Sequence, residues 1–148
     1  MTITNPTTAM TVVPIAEKLV KDWMSPNPIT TLPTTHVDEA FQLMHECQIR
    51  RLPVVQDGAL IGIVTLGDLR SLGAGSESEE SKKICVDAAV QTNVITVTTE
   101  TRLVNAARLM VQHKVSGLPV LSMSDQSLVG MITESDIFRA FIADEARR

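Results

Sequence analysis

Two stretches of this chain, RLPVVQDGALIGIVTLGD at 51–68 and GLPVLSMSDQSLVGMITESD at 117–136, are written to one pattern. Each runs Leu-Pro-Val, a polar turn, an apolar run holding one glycine, then Thr-x-x-Asp. A chain that repeats a whole pattern has duplicated a structural unit. The likeness begins further upstream, where NPITT from Asn27 aligns with NVITV from Asn93 at an offset of 66. The same offset pairs Val37 with Leu103, Ala40 with Ala106, Phe41 with Ala107 and Met44 with Met110. Those positions fall at i, i+3, i+4 and i+7, the buried stripe of an amphipathic helix. Past the turn the offset becomes 68, pairing Gly62 with Gly130, Thr65 with Thr133 and Asp68 with Asp136. The change sits where QDGA becomes SMSDQS, and loops at hairpin tips accept insertions readily.

Each copy therefore reads strand, helix, strand, turn, strand, helix. The first strand is expected at Ile29 to Leu32 or Ile95 to Thr98, and the first helix over roughly 37–48 or 103–114. Asp57-Gly58 signals a tight hairpin turn. LIGIV and LVGMI are continuous apolar runs, expected as strands buried on both faces. Closing helices are expected after Thr65 and Thr133, and short helices ahead of each copy in AEKLVKDW and KICVDAAV. Trp23, just before the first copy, is expected to pack on it. The organisation is a tail over 1–14, a first repeat over 15–72, a flexible Gly/Ser/Glu/Lys connector over 73–83 and a second repeat over 84–145. One copy alone is too small to bury its sheet well, so the two are expected to pack together as an α/β pseudo-dimer.

Composition narrows the function classes. The net charge of −4 and the lack of long basic runs argue against nucleic acid, as does an aromatic content of 3 % with no tyrosine for stacking bases. No apolar stretch approaches the length that spans a bilayer, and MTITNPTTAM lacks the features of a secretory signal. Cys47 and Cys85 are isolated thiols, in keeping with a cytoplasmic protein. His36, His45 and His113 have no second ligand at metal spacing, and no nucleophile and base arrangement can be defended, so neither a metal nor catalysis is expected. The methionines, Met10 to Met131, read as apolar filler.

Two βαββα units, each with a Leu-Pro-Val strand and a Gly-x-x-Thr-x-x-Asp ending, resemble a tandem pair of CBS domains, a Bateman module. The likeness covers about residues 18–143. It implies an α/β (α+β) fold of two repeats packed sheet to sheet about a pseudo-two-fold axis. It also implies two related clefts that bind adenine nucleotides (AMP, ADP or ATP) or an adenosyl ligand such as S-adenosylmethionine. The expected role is regulatory rather than enzymatic: the module senses a ligand, forms a homodimer and acts on another, unidentified protein. The alternative is a structural or interaction module whose clefts stay empty.

The Thr65-x-x-Asp68 and Thr133-x-x-Asp136 pairs have two readings. One is helix capping, with threonine at the N-cap and an acidic side chain three residues on. The other adds ligand binding, a carboxylate there accepting both hydroxyls of a ribose; the resemblance favours it. Ser135 gives the second copy an extra hydroxyl where the first has Gly67, which ranks the Asp136 cleft first. The resemblance further implies that each repeat's apolar slot faces the other's acidic end: Ile29, Ile49 and Pro53 with Asp136, and Ile95, Val115 and Pro119 with Asp68. Arg50-Arg51 aligns with Ser116-Gly117. Two arginines before a buried strand cannot both enter the core, so they are either surface charge or a phosphate fork. Lys114 and Arg139 are secondary candidates, expected in solvent.

Overall fold

The computed structural model describes residues 13–76, 79 and 81–146. The tail expected over 1–14, with Met10, falls largely outside the described residues, as do three positions of the connector. In chain order the elements begin with β1 (Ser25–Pro26), α1 (Val37–Cys47), β2 (Arg51–Gln56), β3 (Ala59–Thr65) and α2 (Leu66–Ser71). They continue with β4 (Val97–Thr98), α3 (Leu103–His113), β5 (Gly117–Leu121), β6 (Leu128–Thr133) and α4 (Glu134–Ala146). The mixed α/β fold and its duplication are as expected.

The described residues form two compact units, each interrupted in sequence: one holds 27–94 with 126–128, the other 13–26, 95–125 and 129–146. In the first-repeat unit, β2 and β3 make an antiparallel hairpin, with Leu52 opposite Val64 and Arg51 opposite Thr65. Its two-residue tip, Asp57 (φ 53°) and Gly58 (φ 80°), holds both centres in the left-handed region. That twist matches the flanking strands. Beneath the hairpin, Val37, Ala40 and Met44 of α1 pack with Leu52, Val54, Val64, Leu69 and Val86. Fully burying a Leu or Met side chain there contributes about 1.5–3 kcal/mol.

The second-repeat unit rebuilds this plan. Its sheet runs β1-β6-β5-β4, with β4 parallel to β5. Leu103, Ala106 and Met110 of α3 meet Leu118, Val120 and Ile132 in its core. Helices α1 and α3 end alike, on Gln48 and Lys114 in the left-handed region (φ 55° and 56°). The next amide closes each helix: Ile49 N–H donates to the Met44 carbonyl (3.0 Å) and Val115 N–H to that of Met110 (3.1 Å).

Three expectations change. The first strand of the first repeat does not form: Thr31 alone bridges to Val54. Pro28 and Pro33 bracket it and lack the N–H a ladder needs, whereas NVITV in the second repeat, free of proline, forms β4. The apolar runs are not buried throughout; in β3 only Gly62 and Val64 are fully covered. Trp23 packs not on the first repeat but against the core of the second, in company with Val20. The segment before each repeat is thus a layer of the other repeat's unit. Val20 N–H donates to the Thr101 carbonyl (2.9 Å) and Leu103 N–H to that of Lys18 (2.8 Å). In the first-repeat unit Val86 N–H donates to Thr35 (2.8 Å) and Val37 N–H to Ile84 (2.9 Å). Every partner is displaced by the same 66 residues.

That exchange explains the repeated glycine. A Cβ on Gly62 would lie 2.3 Å from Val90 Cγ1 and 2.5 Å from the Gln91 carbonyl oxygen. One on Gly130 would lie 2.5 Å from Met24 Sδ and 2.9 Å from the Ser25 carbonyl oxygen. Only glycine lets the crossing segment lie so close.

Candidate functional site

Each unit brings its Thr-x-x-Asp corner against the residue that precedes its Leu-Pro-Val strand. The first amide of α2, Leu66 N–H, donates to the Arg50 carbonyl at 2.8 Å, and that of α4, Glu134 N–H, to the Ser116 carbonyl at 3.0 Å. The corner is therefore anchored to the strand end through main-chain hydrogen bonds. Pro53 and Pro119 are buried where their strands begin, and Pro53 accepts from Thr31 N–H (3.0 Å). Ile29 is exposed, Ile49 half-buried against the core, Ile95 half-buried and Val115 exposed. Arg50 projects to solvent while Arg51 is half-buried opposite Thr65.

The two corners differ in detail. At the first, Thr65 and Asp68 form a reciprocal capping box: Asp68 N–H donates to Thr65 Oγ1 (3.1 Å) and Thr65 N–H to Asp68 Oδ2 (3.0 Å). This satisfies two helix-start groups at once. Gln91 Nε2 also donates to Oδ2 (3.0 Å), and Oδ1 has no hydrogen-bond partner among the described residues. At the second, Asp136 is buried, 4 % exposed. Its Oδ2 accepts from Thr133 N–H (2.8 Å) and from the Thr133 hydroxyl (3.2 Å). Its Oδ1 is taken by the Arg139 guanidinium in a close ion pair. Arg139 also donates to the Trp23 carbonyl (3.4 Å) and lies 5.9 Å from the centre of the Trp23 ring. Lys18 covers the same ring at 4.6 Å and donates to the Ala140 carbonyl at 2.8 Å.

Arg139, expected in solvent, is exposed, and its guanidinium also engages Asp136. The i, i+3 spacing on α4 was the available signal. It gave no warning of Gln91, which reaches Asp68 across 23 residues because its segment crosses Gly62. Ser135, expected to enrich the second corner, is exposed and makes no hydrogen bond among the described residues. Cys47 and Cys85 are free thiols. Among the described residues no group of three or more His, Cys, Asp or Glu is placed to hold a metal ion, and no helix is long and apolar enough to cross a membrane.

Comparison with known proteins places the sequence and the fold among relatives. A CBS domain-containing protein of Dictyostelium discoideum is 36 % identical over 84 % of this chain and 91 % of its own length. Homoserine O-acetyltransferase of Methanosphaera stadtmanae is 32 % identical over 83 % of this chain, which spans only 24 % of that enzyme. Among solved structures, CBSX2 in complex with AMP superposes with a TM-score of 0.75 at 30 % identity, over 88 % of this chain and 99 % of that one. The CBS domain pair of protein MJ0100, in complex with 5′-methylthioadenosine and S-adenosyl-L-methionine, gives 0.73 at 30 % identity, over 88 % and 98 %. The CBS domain model matches residues 20–75 and 86–143, and the chain belongs to the CBS-domain family, carrying two copies of that domain.

Proposed function

We propose that this chain is a cytoplasmic regulatory module that binds an adenine nucleotide (AMP, ADP or ATP) and acts, as a homodimer, on a partner protein. The observation that carries this reading is the repeated Thr-x-x-Asp corner, which holds a carboxylate at a helix start beside a strand-end residue and, at Asp68, leaves Oδ1 without a hydrogen-bond partner among the described residues. A carboxylate so held, its own position fixed by backbone N–H groups, suits the vicinal hydroxyls of a ribose. The bound adenosine compounds of CBSX2 and protein MJ0100 support the ligand class. For this chain the candidate contacts are Ile29, Ile49, Pro53, Thr65 and Asp68 in one unit and Ile95, Val115, Ser116, Pro119, Thr133, Ser135 and Asp136 in the other. Arg50 and Arg51 are the candidate phosphate contacts, since guanidinium offers a forked donor with a permanent charge. Regulation then requires the nucleotide to bind two conformations of the module unequally.

The complete capping box at Thr65 favours a second reading, in which the corners are structural and no ligand binds. Isothermal titration with AMP, ADP, ATP, adenosine and S-adenosylmethionine separates the two. Heat with at least one of them is expected, and no heat with any would establish the structural reading. The double variant Arg50→Ala, Arg51→Ala is expected to bind AMP about tenfold more weakly, roughly one charged hydrogen bond. Adenosine affinity should stay unchanged. An equal loss for both would remove the arginines from phosphate recognition.

A further inference from the structure

Gln91 belongs to the segment that crosses Gly62 and stands outside the Thr-x-x-Asp pattern. Its main chain is pinned in both directions: Ile63 N–H donates to the Gln91 carbonyl (3.0 Å) and Gln91 N–H to that of Ile63 (2.9 Å). The side chain is exposed, yet its Nε2 donates to Asp68 Oδ2 at 3.0 Å. That oxygen already accepts from Thr65 N–H, and the capping box is complete without Gln91. An exposed hydrogen bond from a long side chain adds little to stability once the ordering of that chain is counted. Capping therefore does not account for it.

What the bond does fix is a pair of acceptors. Two donors hold Oδ2, so Asp68 Oδ1 is left over. Nε2 is committed, so Gln91 Oε1, carried on the same carbon, is left over in the same corner. Neither oxygen has a partner among the described residues.

The second repeat lacks this arrangement. Ser25 aligns with Gln91 and pairs with Met131 as Gln91 pairs with Ile63, so the two positions share one register. The serine side chain is short and exposed, and it makes no hydrogen bond among the described residues. Asp136 Oδ1 goes instead to Arg139. The residue aligned with that arginine, Ser71, spends its hydroxyl on the Gly67 carbonyl (3.0 Å). One corner thus ends in a guanidinium, which only donates, and the other in two acceptors.

We infer that Gln91 is a ligand contact that makes the first corner selective for a vicinal diol, its Oε1 accepting one hydroxyl and Asp68 Oδ1 the other. A site whose polar groups each await a hydroxyl rejects an analogue lacking one, because an acceptor is then left unpaired. The ligand class narrows to ribonucleosides and their phosphates, with deoxyribonucleosides excluded. This rests on the nucleotide reading above and extends it to a residue outside the repeated motif.

Titration calorimetry on the full chain tests it with AMP, 2′-deoxy-AMP and 3′-deoxy-AMP, in an Asp136→Ala background so that only the first corner is read. Circular dichroism checks folding, and Asp136→Asn replaces that background should it unfold. AMP is expected to bind more tightly than either analogue. Asp68→Ala should lower AMP affinity at least tenfold and spare the analogue that lacks the hydroxyl Asp68 accepts. Gln91→Ala, whose main-chain pair with Ile63 is untouched, should lower it about fivefold and spare the other analogue. If both variants spare the same analogue, Gln91 acts only through Asp68 and the contact is refuted. Equal losses for all three ligands, or none, refute it as well, and so does a background that no longer binds AMP while wild type does. No heat from any ligand on wild type removes the nucleotide reading itself, and this inference with it.

Discussion

The two acidic corners began as copies and now stand in different states. Asp68 is half-buried with one carboxylate oxygen unengaged among the described residues, whereas Asp136 is buried with both oxygens engaged. The cause is two substitutions outside the motif. Position 139 is arginine, so α4 supplies its own counter-charge three residues after the aspartate. Position 23 is tryptophan, whose ring and carbonyl steady that guanidinium; the aligned residue at the first corner is Ala89. The same Thr-x-x-Asp pattern thus yields one corner with an acceptor to spare and one already closed by an internal cation. A diol arriving at the second must displace Arg139, whereas at the first it meets a ready acceptor. The motif says where a carboxylate will stand, and its neighbours decide whether it is available.

The largest expected difference between the units is one of stability, at the glycines that admit the crossing segments. Gly62→Ala drives a methyl against the Gln91 carbonyl, 2.5 Å away, which can yield only by moving main chain. Gly130→Ala meets chiefly the flexible end of Met24, with the Ser25 carbonyl further off at 2.9 Å. Overpacking of this kind costs about 1–3 kcal/mol, and Gly62→Ala should lie at the upper end and Gly130→Ala at the lower. Urea unfolding of both variants checks the order. Equal losses would mean that main-chain crowding does not distinguish the two crossings.

Next in size is the ligand effect. Asp68→Ala should lower adenine-nucleotide affinity at least tenfold, the worth of a charged hydrogen bond or more. Asp136→Ala should lower it less, because Arg139 already occupies that carboxylate. Titration calorimetry with AMP on both variants measures the ratio, and a greater loss at Asp136 would invert the comparison.

How much of this was legible beforehand depended on the range of the forces involved. The helices were readable because Val37, Ala40 and Met44, like Leu103, Ala106 and Met110, repeat at the period that places side chains on one face. The β2-β3 turn was readable because Asp57-Gly58 accepts left-handed backbone. The capping box at Thr65 is local too. What escaped was non-local. Nothing near Trp23 says that its partner core lies some eighty residues on, and nothing near Asp68 names Gln91. Gly62 and Gly130 were visible as a repeated letter, but their cause is a strand crossing supplied by a distant segment. The absent first strand has a local cause, since Pro28 and Pro33 lack the donors that a ladder needs. The Asp136–Arg139 pair is local as well, three residues apart on one helix, and forms while the arginine stays exposed as expected.

The smallest and most discriminating expectation concerns that arginine. If Arg139 is what closes the second corner, Arg139→Ala frees Asp136 Oδ1, and the two corners become alike. Stability should change little, within about 1 kcal/mol, since a pair with one partner largely in solvent is weakly stabilising and the Thr133 donors still hold Oδ2. Nucleotide binding should rise at the second corner by a few fold, the cost of displacing the guanidinium having been removed. In calorimetry this appears as a second binding event, or as a stronger one where wild type already shows two. It should vanish in the double variant Arg139→Ala, Asp136→Ala while the event assigned to Asp68 remains. A loss of binding on Arg139→Ala would give the arginine the opposite role, as a contact to the ligand's phosphate rather than a competitor for its ribose.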